Sequence, residues 1–239
     1  MARARMTRSE LKAKDEITTT LASLTETAMA RRNEILIAGA ILLVVAGLIF
    51  GWRSYSSGRT TAAQQQLAGV ISSFQNRTVK DDRERFEKTI VEAQKTMADY
   101  PSTHAASMAQ YYLALSQDGL GDMPNAVKNL EEVIGRGDAD VKPVAQFALA
   151  GVYKRHGELR KAIDILKQLD ASGGFSTSSV SLELGATAEA AKQNDVAQAA
   201  YSKIIKESPD SPFRADAEAA LKRMGLPIPA PEPPQVEVK

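Results

Sequence analysis

Between Ile35 and Trp52 the chain reads ILIAGAILLVVAGLIFGW, eighteen residues without a charge. No polar face appears in it at any 3.6-residue phase, so it does not read as a helix resting on a globular core. Eleven of its residues are Ile, Leu, Val or Phe. At roughly −0.3 to −0.6 kcal/mol each, they favour transfer into a bilayer. As a helix the stretch is about 27 Å long, close to a bilayer's hydrocarbon thickness, and it predicts one membrane-spanning segment. A cleaved leader would carry its apolar run nearer the N-terminus and follow it with a small-residue cleavage site, whereas here Arg53-Ser54-Tyr55-Ser56-Ser57 follows. Within the stretch, Gly47-Leu-Ile-Phe-Gly51 matches the G-x-x-x-G spacing that lets a second membrane helix approach.

From Gly58 onward the pattern changes to Ala, Gln, Lys, Glu and Leu at helical spacing, and Val, Ile and Thr never alternate as they would in strands. The expectation is an all-α fold: a transmembrane helix, then an array of helical hairpins. A first helix is predicted over about Thr60 to Asn76 and a second over about Asp81 to Tyr100, where Asp81 and Asp82 suit the positive end of the dipole and Pro101 stops the turn. Next comes a repeat. Ala109 to Leu130 can be laid over Ala145 to Leu166 at a period of 36 residues. Each unit has an apolar helix, a Gly at its end (Gly121, Gly157), an acidic residue, an Ala five residues after the Gly (Ala126, Ala162) and a Leu four further on. The Gly supplies a left-handed C-cap, and the Ala lets antiparallel helices cross closely. A weaker copy runs from Leu182 to Asn194-Asp195, with Asn in place of Gly, and on to Ala199-Ala200-Tyr201. A capping helix over Phe213 to Met224 is expected to bury Ala215, Ala219 and Leu221.

These residues resemble tetratricopeptide repeats, although the aromatic late in the first helix is present as Tyr153 and replaced by Gln117 one copy earlier. With the basic tail, the apolar helix, the Gln-rich start Ala62 to Leu67 and the Tyr100-Pro101 stop, the chain looks like the YfgM-like family of ancillary subunits of the Sec translocon. The tails at both ends depart from that pattern. The resemblance implies no catalytic residues and no cofactor. It implies a periplasmic domain whose partners are translocon subunits, a chaperone or prolyl isomerase such as PpiD, and exported polypeptides. In tetratricopeptide arrays the first helix of each repeat lines the concave face, so the same resemblance puts Met108, Tyr111, Asp118, Phe147, Lys154 and Arg155 on a partner-binding surface.

Charge sets the orientation. Seven Lys or Arg lie in the first 34 residues, against Arg53 and Arg59 in the twenty after Trp52. A cytoplasmic N-terminus follows, with Trp52 and Tyr55 at the far interface. The family resemblance implies that the membrane, crossed once, is a bacterial inner membrane. The expected organisation is a basic tail over 1–30, the membrane helix and its flanks over 31–55, the repeats over 56–225 and a proline-rich disordered tail over 226–239. The first tail is either solvated or a docking segment, and the last is either solvated or a ligand motif. Residues 60–239 hold 21 basic against 24 acidic side chains, which argues against nucleic acid as partner. The chain has no cysteine and only two histidines, His104 and His156. No H-E-x-x-H spacing is present, so the sequence names no metal ligands. Asp81-Asp82, Glu131-Glu132 and Asp138-Ala-Asp140 fall at helix ends or on solvated faces, Gly135-Arg-Gly137 reads as a turn, and Tyr111, Tyr112, Phe147 and Tyr153 suit core packing. The expectation is a non-enzymatic protein-protein interaction module. An envelope-assembly or cell-division scaffold and a membrane-tethered regulator acting through its cytoplasmic tail are the alternatives.

Overall fold

A computed structural model describes residues 32–78, 81–136 and 138–230, with the helical segments 32–41 and 49–57 described as backbone alone. The chain divides into two compact units, Met1–Gly58 and Arg59–Lys239. Among the described residues every regular element is a helix.

The predicted break before Thr60 is absent. Helix α1 spans Arg32–Gln75 without interruption. The linking residues 53–59 hold no proline, and a single mid-helix glycine costs only about 1 kcal/mol relative to alanine, too little to end a helix continued by an Ala- and Gln-rich run. In the first unit, Leu42, Leu43, Val44, Val45 and Leu48 are all exposed. Successive helical positions turn by about 100°, so these side chains leave the helix on every side. Among the described residues no helix is long and apolar enough to cross a membrane. The predicted tail over 1–30 lies outside the described residues.

In the second unit the later half of α1 is followed by α2 (Asp82–Asp99), α3 (His104–Gly119), α4 (Met123–Arg136), α5 (Val141–Arg155), α6 (Leu159–Ser172), α7 (Thr177–Ala190), α8 (Asn194–Glu207) and α9 (Arg214–Arg223). The α3–α4, α5–α6 and α7–α8 pairs are the three copies of the repeat. An earlier hairpin joins them, because Ala63, Leu67 and Val70 of α1 share a core with Ala93 of α2 and with Ala105, Ala109 and Leu113 of α3.

Four of the turns share one construction. At Gly121 (φ +83), Gly157 (φ +81) and Gly225 (φ +71) the backbone is left-handed, and so it is at Lys192 (φ +57). The amide after each of these residues reaches a carbonyl five residues back: Asp122 to Gln117, Glu158 to Tyr153, Gln193 to Ala188, and Leu226 to Leu221, all at 2.8 to 2.9 Å. This is the Schellman closure of a helix. It corrects the sequence reading, which gave the left-handed place in the third copy to Asn194. That residue instead begins α8, and the strained position falls on Lys192, the counterpart of Gly121 and Gly157.

With that register, equivalent positions fall into line. Ala126, Ala162 and Ala197 are fully buried on the second helices, and Leu130, Leu166 and Tyr201 follow four residues later, also buried. Tyr201 is the largest of the last three, and the facing position shrinks to fit it. Ala114 and Ala150 of the earlier copies become Gly185, where an added Cβ would stand 2.5 Å from the Tyr201 ring. The cap helix also differs from expectation. Ala217, Ala220 and Leu221 are its buried face while Ala215 and Ala219 are exposed, because Phe213 and Met224 pack on the core and fix the i, i+4, i+7 stripe that starts at 213. Leu226, the first residue of the predicted tail, packs there too. Residues 231–239 lie outside the described residues.

Candidate functional site

Among the described residues, two of the places where the array brings polar or open side chains together bear on partner or ligand binding. The first is the row of first helices α3, α5 and α7, where the sequence placed its partner-binding residues. Met108 is half-buried and touches the cores on both sides of α3. Tyr111 sits edge-on to Tyr112, ring centroids 5.3 Å apart. Burial raises its hydroxyl pKa above the ordinary phenol value, and the Tyr112 phenol adds to that rise. Phe147 on α5 stacks on Phe175 from the turn before α7, at 4.9 Å and 23°.

The charged members of the set hold neighbouring helices together. The Asp118 carboxylate, only 8% exposed, accepts from Arg155 Nε at 2.8 Å and stands 3.1 Å from His156 Nε2, tying the end of α3 to the end of α5. Lys154 Nζ reaches Glu183 Oε1 at 2.9 Å and ties α5 to α7. One repeat further, Glu189 accepts from Arg223 and from the Tyr201 hydroxyl, tying α7 to α9 and α8. The Arg223 hydrogen bond holds the Glu189 carboxyl below its ordinary pKa. Burial, followed by the bond to Glu189, pushes Tyr201 up to about 12. The row is therefore a ladder of ion pairs with half-open apolar side chains, Met108, Tyr111 and Phe147, set between its rungs.

The second place is the pair of turns before α3 and α5. A groove of about 550 Å³ lies there, lined among others by Met97, Pro101, His104, Ser107, Arg136 and Asp138. His104 Nδ1 is 3.1 Å from Asp138 Oδ2. One donor atom each from His104, Asp138 and Asp140 lie within 4.8 Å of one another. No local ligand spacing marks this cluster, because His104 lies 34 and 36 residues from the two aspartates. The signal was in the period: His104 and Asp140 occupy the same position of consecutive repeats, and stacking makes such positions neighbours.

The model of a family described as Tetratricopeptide repeat-like domain matches residues 30–223. The chain belongs to that family. The tetratricopeptide repeat-like domain is typical of protein-interaction modules, in accord with the ladder and its apolar gaps. No curated protein matches the chain. Among solved structures it is similar to a Podosopora anserina chain of nearly identical TPR-like repeats, described as of kinesin-light-chain type, at 19% identity and a TM-score of 0.54 over 70% of this chain and 88% of that one. A single-substitution variant of the same protein gives a TM-score of 0.52 at the same identity and coverage. At this identity the likeness establishes the fold.

Proposed function

We propose that this tetratricopeptide repeat-like protein is a single-pass bacterial inner-membrane protein with a cytoplasmic N-terminus. Its array works on the periplasmic side as an accessory of the Sec translocon, bringing periplasmic chaperones and exported polypeptides to it. One observation carries the reading: the apolar stretch 35–52, exposed on all sides of α1 where its side chains are described, falls inside the family match that begins at residue 30. A helix that is apolar all round is at rest only in a core or a bilayer. The YfgM-like pattern of tail, anchor and repeats supplies the translocon as the specific partner. On the array, Met108, Tyr111 and Phe147 are the contacts a partner peptide would bury, while Asp118, Lys154 and Arg155 set the spacing of the helices that carry them.

The test has two parts. In spheroplasts, protease should remove the array from the outside while carbonate extraction leaves the chain in the membrane. Crosslinking in intact cells should then recover translocon and chaperone subunits, and Tyr111→Ala with Phe147→Ala should lower that recovery severalfold. An array protected from external protease refutes the topology. Normal topology with neither subunit recovered refutes the translocon role.

A further inference from the structure

We propose that His104, Asp138 and Asp140 form a divalent-cation site of the zinc class, which staples the turn before α3 to the turn before α5. A zinc ion bound at roughly 2.0 to 2.2 Å by nitrogen and oxygen donors holds them about 3.4 Å apart on the edges of a tetrahedron. His104 Nδ1 and Asp138 Oδ2 already stand 3.1 Å apart. The widest separation within the set is 4.8 Å or less. The Asp140 side chain is exposed, so rotating it is the way to close that separation by about 1 Å.

The donor chemistry selects the ion. Carboxylates alone would suit magnesium or calcium, and the imidazole shifts preference toward zinc and its transition-metal neighbours. That imidazole distinguishes the cluster from the exposed carboxylate pairs at Asp81-Asp82 and Glu131-Glu132. The Asp138 carboxylate is also oriented: its Oδ1 accepts from the Asp140 amide at 3.3 Å, leaving Oδ2 toward His104. Such outer contacts fix ligand geometry. Three protein ligands leave a coordination position open. The groove, lined by His104 and Asp138, gives water or an anionic group access to the ion, and Arg136 lines the same groove.

The site belongs to one repeat boundary. In the register that sets Lys192 against Gly157, the counterpart of Asp140 one repeat further is Phe175, and neither it nor the adjacent Ser176 is a ligand of this kind. An ion held here would join residues 34 to 36 apart in an open stack in which each repeat otherwise rests on its neighbours alone. Because the ligands meet only when the array is folded, zinc would raise the unfolding temperature in a concentration-dependent way. This inference stands independently of the membrane reading.

The test uses untagged, metal-free full-length protein in detergent, titrated by calorimetry with zinc, manganese, magnesium and calcium chlorides, with thermal unfolding followed in parallel. The expected result is one zinc per chain, weak or absent binding of magnesium and calcium, and a Tm that climbs with zinc. Asp140→Asn leaves the His104–Asp138 contact in place and should weaken zinc binding by at least about tenfold, as should His104→Gln, and both should abolish the Tm rise. Asp195→Asn, an exposed carboxylate elsewhere, should leave binding unchanged. Absence of zinc binding, equal binding of magnesium and calcium, or unaltered affinity in folded Asp140→Asn and His104→Gln would overturn the proposal.

Discussion

The hairpins up to α4 and those from α5 to α9 share one repeat pattern, yet their interiors are filled with different side chains. In the earlier part Ser73, Thr89, Thr96, Ser107, Gln110 and Ser116 are buried, whereas in the later part the buried polar residues among those described are Ser181 and Thr187. The later core instead stacks Ile163, Leu166, Leu169, Tyr201, Ile204, Ile205 and Leu221 into one continuous cluster. The buried side-chain atoms without a hydrogen bond among the described residues, Gln66 Oε1, Arg85 Nε and Gln110 Oε1, all lie in the earlier part. Thr89, Thr96 and Ser116 spend their hydroxyls on carbonyls four residues back in their own helices, which joins no helix to another. Each unsatisfied buried group costs about 1 to 3 kcal/mol, and each fully buried aliphatic side chain stabilises by about 1.5 to 3 kcal/mol. In a stack whose stability is a sum over neighbours, the later hairpins are the firm end and the earlier ones open first.

Truncation at the centre of the firm end is the strongest test of that difference. Leu166→Ala should lower stability by about 2 to 5 kcal/mol in urea unfolding. Thr89→Ala in the earlier part should cost less than about 1 kcal/mol, since it removes a local hydroxyl bond and little packing. Equal losses would break the comparison. Next in size is Gly185→Ala, which pushes a methyl into the Tyr201 ring and should cost about 1 to 3 kcal/mol. The double variant with Tyr201→Leu restores the Ala and Leu found at these positions in the two preceding copies, and should recover part of the loss. A double variant no better than Gly185→Ala would mean that the two sites are not coupled.

The same pair shows where the sequence was readable and where it was not. The Gly-to-Ala spacing of the first two copies gave the hairpins and their left-handed caps, and Pro101 gave the stop at Tyr100, because those depend on local backbone chemistry. The third copy was misaligned by two residues, since the left-handed position there is filled by Lys192, a residue type with no preference for it. Tyr201 was visible, but its place opposite Gly185 depends on that register. At the candidate surface, Tyr111 and Phe147 could be named from the repeat. The engagement of Asp118 with Arg155 and His156 could not, because it is a contact between side chains 37 and 38 residues apart. Once the 36-residue period is taken as a rule of adjacency, both that pair and the His104–Asp140 neighbours follow from it.

A smaller effect is expected at the misread cap. Lys192 holds φ +57, a conformation that costs a residue bearing a Cβ roughly 1 to 2 kcal/mol. Glycine removes that strain and gives back part of the gain as unfolded-chain entropy, so Lys192→Gly should stabilise the protein by about 0.5 to 1 kcal/mol. A loss of stability would show that the lysine side chain contributes something its backbone strain conceals.

The last effect is confined to alkaline pH and isolates the buried hydroxyl of the firm end. Tyr201 is raised to about 12 in the folded protein by burial and by its bond to Glu189, against about 10 in an unfolded chain. The neutral phenol is therefore the form that folding favours. Its contribution is fully present below pH 10 and is lost as pH rises from 10 toward 12, where the unfolded chain gives up the proton first. Glu189 keeps its Arg223 partner when the hydroxyl is removed, so Tyr201→Phe should fold and should flatten the fall of the urea midpoint between pH 10 and 12. If the wild type and Tyr201→Phe fall in parallel across that window, the alkaline loss originates elsewhere, with Tyr111 in the earlier part, also raised by burial, the next group to replace.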